Sequence, residues 1–207
     1  MIIDNRMILV PISNYDISSD GRGLIPFQEW NKYGFMNSAG KVIVPPTYDT
    51  VSEPLYAPGR YAEVGVVQTF ACDTSTRWHY LYGIIDVNGR VVLDPEYCDI
   101  KISSDGCHFS VKEFPDKYSI VDTSGATIIP SGRYSFIDGV QGGLSRVCAT
   151  INGKQKWGII NLQGEEVIPL IYDRIWNFWG HDRNDTNLVL DGMESRISLP
   201  ISDLDII

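Results

Sequence analysis

One unit recurs four times along this chain of 207 residues, and it sets the architecture. It opens on an aromatic residue and a short apolar run, turns at a glycine, and returns through β-branched residues to a proline and a tyrosine. The copies open at Tyr33, Tyr82, Tyr118 and Trp157 and close at Tyr48, Tyr97, Tyr134 and Tyr172. From the opening aromatic to the turn glycine (Gly40, Gly89, Gly125, Gly164) is 7 residues in every copy, and from that glycine to the tyrosine is 8, 8, 9 and 8. Successive openings lie 49, 36 and 39 residues apart, so the hairpin is constant and the connections absorb the variation. Residues that recur in every copy are most simply explained by the copy's own fold, which lowers the expectation of an enzyme.

Each position has a physical role. Phe35, Ile84, Ile120 and Ile159 begin the outgoing strand. Two residues on stands Asn37, Asp86, Asp122 or Asn161, and three further on stands the glycine. Asx-x-x-Gly between apolar runs is a hairpin turn: the Asx oxygen accepts from backbone amides ahead of it, and glycine takes the positive φ. The return strands are Val42-Ile43-Val44, Val91-Val92, Thr127-Ile128-Ile129 and Val167-Ile168. Pro45, Pro95, Pro130 and Pro169 are then expected to stop the ladder, because proline has no amide to donate. The glycine after the opening aromatic is expected where another backbone or ring comes close. The extra residue of the third copy, at Ser131-Gly132-Arg133, predicts a bulge or longer turn.

A strand is also expected before each hairpin, in residues 23–27, 60–64, 108–111 and 143–147, giving about three strands per repeat. The connection from Val64 to Tyr82 is the longest and predicts two long strands with a tip at Asp73-Thr74-Ser75. No long amphipathic helix is legible.

At these residues the chain resembles the WG-repeat family, whose consensus is Trp-Gly-Φ-Ile-Asp-x-x-Gly-x-x-Val-Ile-Pro-x-x-Tyr-Asp. The fourth copy matches best, with Lys156-Trp157-Gly158 and Tyr172-Asp173. Copies one and two replace Trp with Tyr. Copy three lacks the Trp, the Gly and the Asp after Tyr134. The resemblance covers residues 23–176. It implies a bacterial binding or scaffold module and supplies no catalytic residue.

The expected fold is all-β, with antiparallel hairpins stacked as a solenoid-like or curved open sheet; a small propeller-like closure is the alternative. The chain reads as one domain: an N-terminal cap (1–22) with a strand at Met7–Ile12, four repeats (23–176), and a C-terminal cap (177–207) with a hairpin around Asp191-Gly192.

A formal charge of −9 argues against nucleic-acid binding, which needs a basic patch. The N-terminus lacks the pattern of a signal peptide, and no stretch is long and apolar enough for a membrane span. Cys72, Cys98, Cys107 and Cys148 have no paired spacing and suit a reducing cytoplasm. His79, His108 and His181 have no ligand spacing, so no metal and no cofactor are expected. His181-Asp182-Arg183-Asn184-Asp185 is the densest polar cluster and reads as a solvated loop. The recurring turn Asx reads as a backbone cap rather than a catalytic acid, and the closing tyrosines read as core between repeats.

Two aromatic groups depart from the repeat. Trp176, Phe178 and Trp179 stand beside the acids Asp182 and Asp185, and Trp78 and Tyr80 lie in the long insertion. Exposed tryptophan next to charge suits an interface, and insertions in repeat proteins lie on binding faces. The first functional expectation is a non-enzymatic, cytoplasmic protein-binding module, such as an immunity or adaptor protein masking a basic partner. The second is a glycan- or peptide-binding, or hydrolytic, protein that uses the aromatic–acidic surface around Trp176.

Overall fold

The computed structural model describes residues 24–52, 61–72, 75–176, 185–190 and 192–198. All regular structure among them is antiparallel β, in five separate sheets of hairpins, none closed into a barrel. No helix among the described residues is long and apolar enough to cross a membrane. The expected strand at Met7–Ile12 lies outside the described residues.

Contacts divide the chain into two compact units, Met1–Cys98 and Asp99–Ile207. The first holds two sheets. One is β1 (Ile25–Glu29), β2 (Lys32–Met36) and β3 (Val42–Tyr48); the other is β4 (Thr50–Val51), β5 (Tyr61–Cys72), β6 (Ser75–Asp86) and β7 (Val91–Tyr97). Phe35, Val44 and Tyr48 of the first sheet share a core with Ala62, Val64 and Ile85 of the second. The turn of the second hairpin seats on the first sheet, since a Cβ on Gly89 would lie 2.6 Å from Val44 Cγ2.

The second unit holds three sheets. They are β8 (Asp99–Ile102), β9 (His108–Glu113), β10 (Lys117–Asp122) and β11 (Thr127–Ile129); then β12 (Phe136–Ile137), β13 (Leu144–Ile151), β14 (Lys154–Asn161) and β15 (Glu166–Tyr172); then β16 (Arg174–Ile175), β17 (Asp185–Leu190) and β18 (Met193–Ser198). Ile120, Ile129 and Tyr134 pack on Ile137, Val147 and Ile160 of the middle sheet, while Leu144 and Ile159 pack on Ile175 and Leu188 of the last. The middle sheet is thus covered on both faces. That explains the paired isoleucines of the outgoing strand: neighbours on a strand face opposite ways, and both Ile159 and Ile160 are fully buried. The expected terminal hairpin is present as the pairing of β17 with β18, Leu190 opposite Met193; Asp191 lies outside the described residues.

Two features differ from the sequence reading. The first is strand count. Directly after each closing tyrosine the chain makes a further short strand (β4, β8, β12, β16), which begins the next sheet, so a full sheet has four strands. These strands run two to four residues, too short to show a period.

The second concerns proline. β3, β7 and β15 run through their prolines to the tyrosine instead of stopping. The register shows why. Phe35 faces Val44, but Tyr33 faces Tyr48; likewise Ile84 faces Leu93 but Tyr82 faces Tyr97, and Ile159 faces Ile168 but Trp157 faces Tyr172. Four return-strand steps span two outgoing ones, so the prolines occupy a bulge where no amide is needed. The bulge folds onto the glycine between the paired positions. A Cβ on Gly34, Gly83 or Gly158 would meet the carbonyl oxygen of Val44, Leu93 or Ile168 at 2.5, 2.5 and 2.7 Å. The close approach expected at this glycine is therefore an approach of backbone to backbone. In the third copy Ser119 replaces it, and there β11 does end at Ile129, before Pro130; the longer turn through Gly132 carries the chain to Tyr134. The loss of the glycine and the loss of the bulged pairing occur together.

Replacing Gly83 or Gly158 with alanine pushes a methyl group into fixed backbone and is expected to cost about 1–3 kcal/mol each. Ser119→Ala, at a site that already holds a Cβ, is expected to cost less than either. Urea denaturation of the three variants decides this, and equal losses would remove the role assigned to the glycine.

Candidate functional site

The recurring acids and amides are occupied by the fold. Asn37 Oδ1 accepts from the Ala39 and Lys41 amides at 3.1 and 2.9 Å. Asp86 Oδ1 accepts from those of Asn88 and Arg90, both at 2.9 Å, and Asn161 Oδ1 from those of Gln163 and Glu165 at 3.0 and 2.9 Å. Asp122 Oδ1 takes the Ser124 hydroxyl as well as the Ser124 and Ala126 amides. The Ser124 hydroxyl bond, with the two amides, lowers the Asp122 carboxyl below its ordinary range. The turn glycines sit at φ between +77° and +80°. These positions are turn caps.

The Lys before the opening aromatic and the Asp after the closing tyrosine also find one another. Lys32 reaches Asp49 at 2.7 Å and Lys156 reaches Asp173 at 2.6 Å, each across the bulged pair. Copy two carries Leu81 and Cys98 in these places, and copy three Lys117 and Ser135. Partly exposed pairs of this kind contribute about 0–1 kcal/mol.

The largest departure from the repeat is the β5–β6 hairpin. Both strands run 12 residues, whereas the corresponding strands of the other sheets run 5 to 8. The two expected long strands are present; the tip residues Asp73 and Thr74 lie outside the described residues. The base of this arm is pinned by Asp49. Its Oδ2 accepts from the Val67 amide at 3.0 Å while its Oδ1 takes Lys32. The Lys32 hydrogen bond, with that amide and the lysine's charge, outweighs burial and lowers the Asp49 carboxyl. Gly65 admits the Thr50 methyl and the Tyr82 ring, which a Cβ there would meet at 2.6 and 3.3 Å. Beyond the base, Val67, Gln68 and Thr69 are exposed. Tyr80 is half-buried opposite Val67, its ring 6.2 Å from that of Tyr82. Trp78 stands opposite Thr69 in register; its side chain lies outside the described residues.

Of the C-terminal group, Trp176 follows β16 with 45% of its surface exposed, and the Arg174 guanidinium lies 4.7 Å from its ring centre. Phe178, Trp179 and Asp182 lie outside the described residues, as does most of the polar cluster that begins at His181. Asp185 opens β17 opposite Ser198, and its side chain is likewise outside the description. Among the described residues, no group of three or more His, Cys, Asp or Glu side chains is placed to hold a metal.

One charged cluster escaped sequence reasoning. Asp138, 5% exposed, sits after β12 in the second unit. Its Oδ1 accepts from Lys101 at 2.7 Å and from the Gly139 amide at 3.0 Å; its Oδ2 accepts from Arg146 at 2.7 Å. Its carbonyl takes the Ser110 and Ser145 hydroxyls, both at 2.8 Å. Arg146 in turn donates to the Ile175 carbonyl at 2.8 Å and stacks over Trp157. Three sheets are therefore tied together around Asp138: Lys101 and Ser110 of the third and Ser145 and Arg146 of the fourth bond to it directly, and Arg146 carries the tie to Ile175 of the fifth. A half-buried aromatic row, Tyr118–Phe136–Trp157, lines it, with ring centres 5.4 and 5.6 Å apart. The side-chain partners lie between 7 and 37 residues from Asp138, and no local pattern announces them. Both cations are spent on Asp138 and on a carbonyl, so the cluster is a clamp between sheets rather than a vacant anion site.

Three segments of the chain, 33–55, 82–112 and 157–180, match the model of the family described as WG containing repeat. The copy that opens at Tyr118 lies outside the matched segments, in keeping with its lost glycine and bulge. No curated protein sequence matches the chain. Among solved structures, a crystal structure of the eukaryotic initiation factor is similar at 12% identity, covering 85% of this chain and 51% of its own, with a TM-score of 0.48. A crystal structure of the tricorn protease is similar at 9% identity, covering 85% and 24%, with a TM-score of 0.44. The chain thus spans about half the length of the first and a quarter of the second.

Burial opposes the Asp138 charge, but the Lys101 hydrogen bond, the charges of Lys101 and Arg146, and the Gly139 amide together hold its carboxyl below the ordinary range. A carboxyl lowered in the folded state contributes stability in full above the unfolded value, about 4, and that contribution is lost as pH falls through the lower folded value. Asp138→Ala is expected to cost about 3 kcal/mol, because it strands the largely buried Arg146 guanidinium, while the more exposed Lys101 turns to solvent. Asp138→Asn is expected to flatten the acid limb of the stability–pH curve. An unchanged acid limb, followed by circular dichroism in urea, would refute the clamp.

Proposed function

We propose that the chain is a non-enzymatic protein-binding module whose β5–β6 arm is the principal docking element. The observation that carries this reading is the arm itself. One copy in four extends both strands of its first hairpin well past the length that the repeat needs, and presents Val67 and the Tyr80–Tyr82 pair there. Hairpin turns, ion pairs and bulges account for the other recurring polar residues, so the fold explains them without chemistry. A half-buried aromatic pair beside exposed aliphatic surface is the composition of an interface centre.

The partner we propose is a basic protein, and the setting a bacterial cytoplasm, as for an immunity or adaptor protein. The net charge of −9 supports this: an acidic surface steers a cationic partner and disfavours nucleic acid. Trp176 with Arg174 is the second contact candidate, in the other unit.

The test compares the full chain with a variant in which residues 67–80 are replaced by an Asn-Gly turn, which leaves Val66 and Leu81 flanking a two-residue hairpin loop. Each is used for affinity capture from host lysate at low and high salt, with circular dichroism as the check on folding. A basic protein bound in stoichiometric amount, released by salt and lost with the shortened arm, is the expected outcome. Capture that ignores the arm, or none from either protein, would overturn the reading.

A further inference from the structure

The sequence contains two Asn-Gly steps, Asn88-Gly89 and Asn152-Gly153, and the structure treats them differently. In an Asn-Gly step the glycine nitrogen can attack the asparagine side-chain carbonyl carbon, because no Cβ crowds its approach. A bond forms between Gly N and Asn Cγ, the amide proton passes to solvent base, and the side-chain nitrogen leaves as ammonia. Water then opens the cyclic imide at one of its two carbonyls, to give aspartate or an isoaspartyl linkage. The reaction needs no oxidant or reductant, only an untethered glycine amide and solvent access.

Gly89 fails the first condition and meets the second only in part, being half-buried although Asn88 is exposed. Its amide donates to the Asp86 carbonyl at 2.9 Å, the Asn88 amide donates to Asp86 Oδ1, and the glycine is pressed on Ile43 and Val44. The described Asp-Gly steps are restrained too. The Gly106 amide donates to the Ser103 carbonyl at 3.0 Å, and the Gly139 amide to the Asp138 carboxylate at 3.0 Å with both residues buried. Asn152-Gly153 is the opposite case. It forms the two-residue tip between β13 and β14, where Ile151 pairs with Lys154. Both residues are exposed, at φ of 50° and 75°, and nothing lies within 4 Å of where a Gly153 Cβ would stand. Among the described residues, neither the Gly153 amide nor the Asn152 side chain makes a hydrogen bond.

We propose that Asn152-Gly153 is a spontaneous deamidation site, and that the folded second hairpin shields Asn88-Gly89 from the same reaction. The product places a carboxylate at the tip. An isoaspartyl linkage also adds a backbone methylene to a turn closed by only two residues, which loosens the Ile151–Lys154 pair.

The full chain is aged in mildly alkaline buffer, in native form and in denaturing urea, and both peptides are followed by mass spectrometry and by isoaspartyl methylation. In the native protein Asn152 is expected to convert at least about tenfold faster than Asn88, the scale set by the hydrogen bonds and packing that hold Gly89. In urea the two rates are expected to converge. Equal native rates, a faster Asn88, or a ratio that persists in urea would each overturn the proposal, the last because sequence rather than fold would then set the difference.

Discussion

The structure depends on a contact between two pieces of backbone. At Gly34, Gly83 and Gly158 the return strand bulges over the outgoing strand and brings a carbonyl oxygen within 2.5–2.7 Å of the point where any other residue would carry its Cβ. Much follows from that approach. It lets the prolines lie within the sheet without a missing ladder bond. It brings the opening aromatic opposite the closing tyrosine, and it sets the flanking Lys and Asp within reach of each other in copies one and four. The third copy shows the converse. With Ser119 in place of glycine the return strand stops early, and Arg133 from the longer turn reaches over Tyr134 to the Gly164 carbonyl and Glu166.

The second constraint is that an outgoing strand such as β14 is covered on both faces. A pair such as Ile159-Ile160 sends one side chain to each neighbouring sheet, so a single hairpin cannot bury its own apolar surface and must stack. The closing tyrosine sits at this junction: Tyr48 and Tyr134 are buried against the following sheet, and Tyr172 packs at the edge of the last core. Where stacking brings charge inside, it is paired. Asp138 draws hydrogen bonds from two sheets, and Arg146 carries the tie to a third.

The proposed function rests on the places where the repeat is broken, because within the repeat the turn Asx residues and the Lys–Asp pairs of copies one and four have structural tasks. The breaks among the described residues are the long β5–β6 arm and the exposed Trp176 beside Arg174. Of the residues singled out from sequence, Tyr80 stands on the arm and Trp176 on the surface, in separate units; Trp78 and Asp185 have known places in their strands only.

What the sequence determined by itself is local. The Asx-x-x-Gly turns, the outgoing and return strands, the long insertion and the terminal hairpin were all legible, because turn chemistry and β-branched runs act over a few residues and recur in register. The role of the glycine after the aromatic was legible in kind, as a place of close approach. Only the tertiary structure decided which backbone approaches it, that the prolines ride in a bulge, and that a fourth short strand begins each new sheet. The Asp138 clamp belongs to the same class. Its partners come from strands far apart in sequence, and what selects them is the burial of a carboxylate between stacked sheets, which no local pattern encodes.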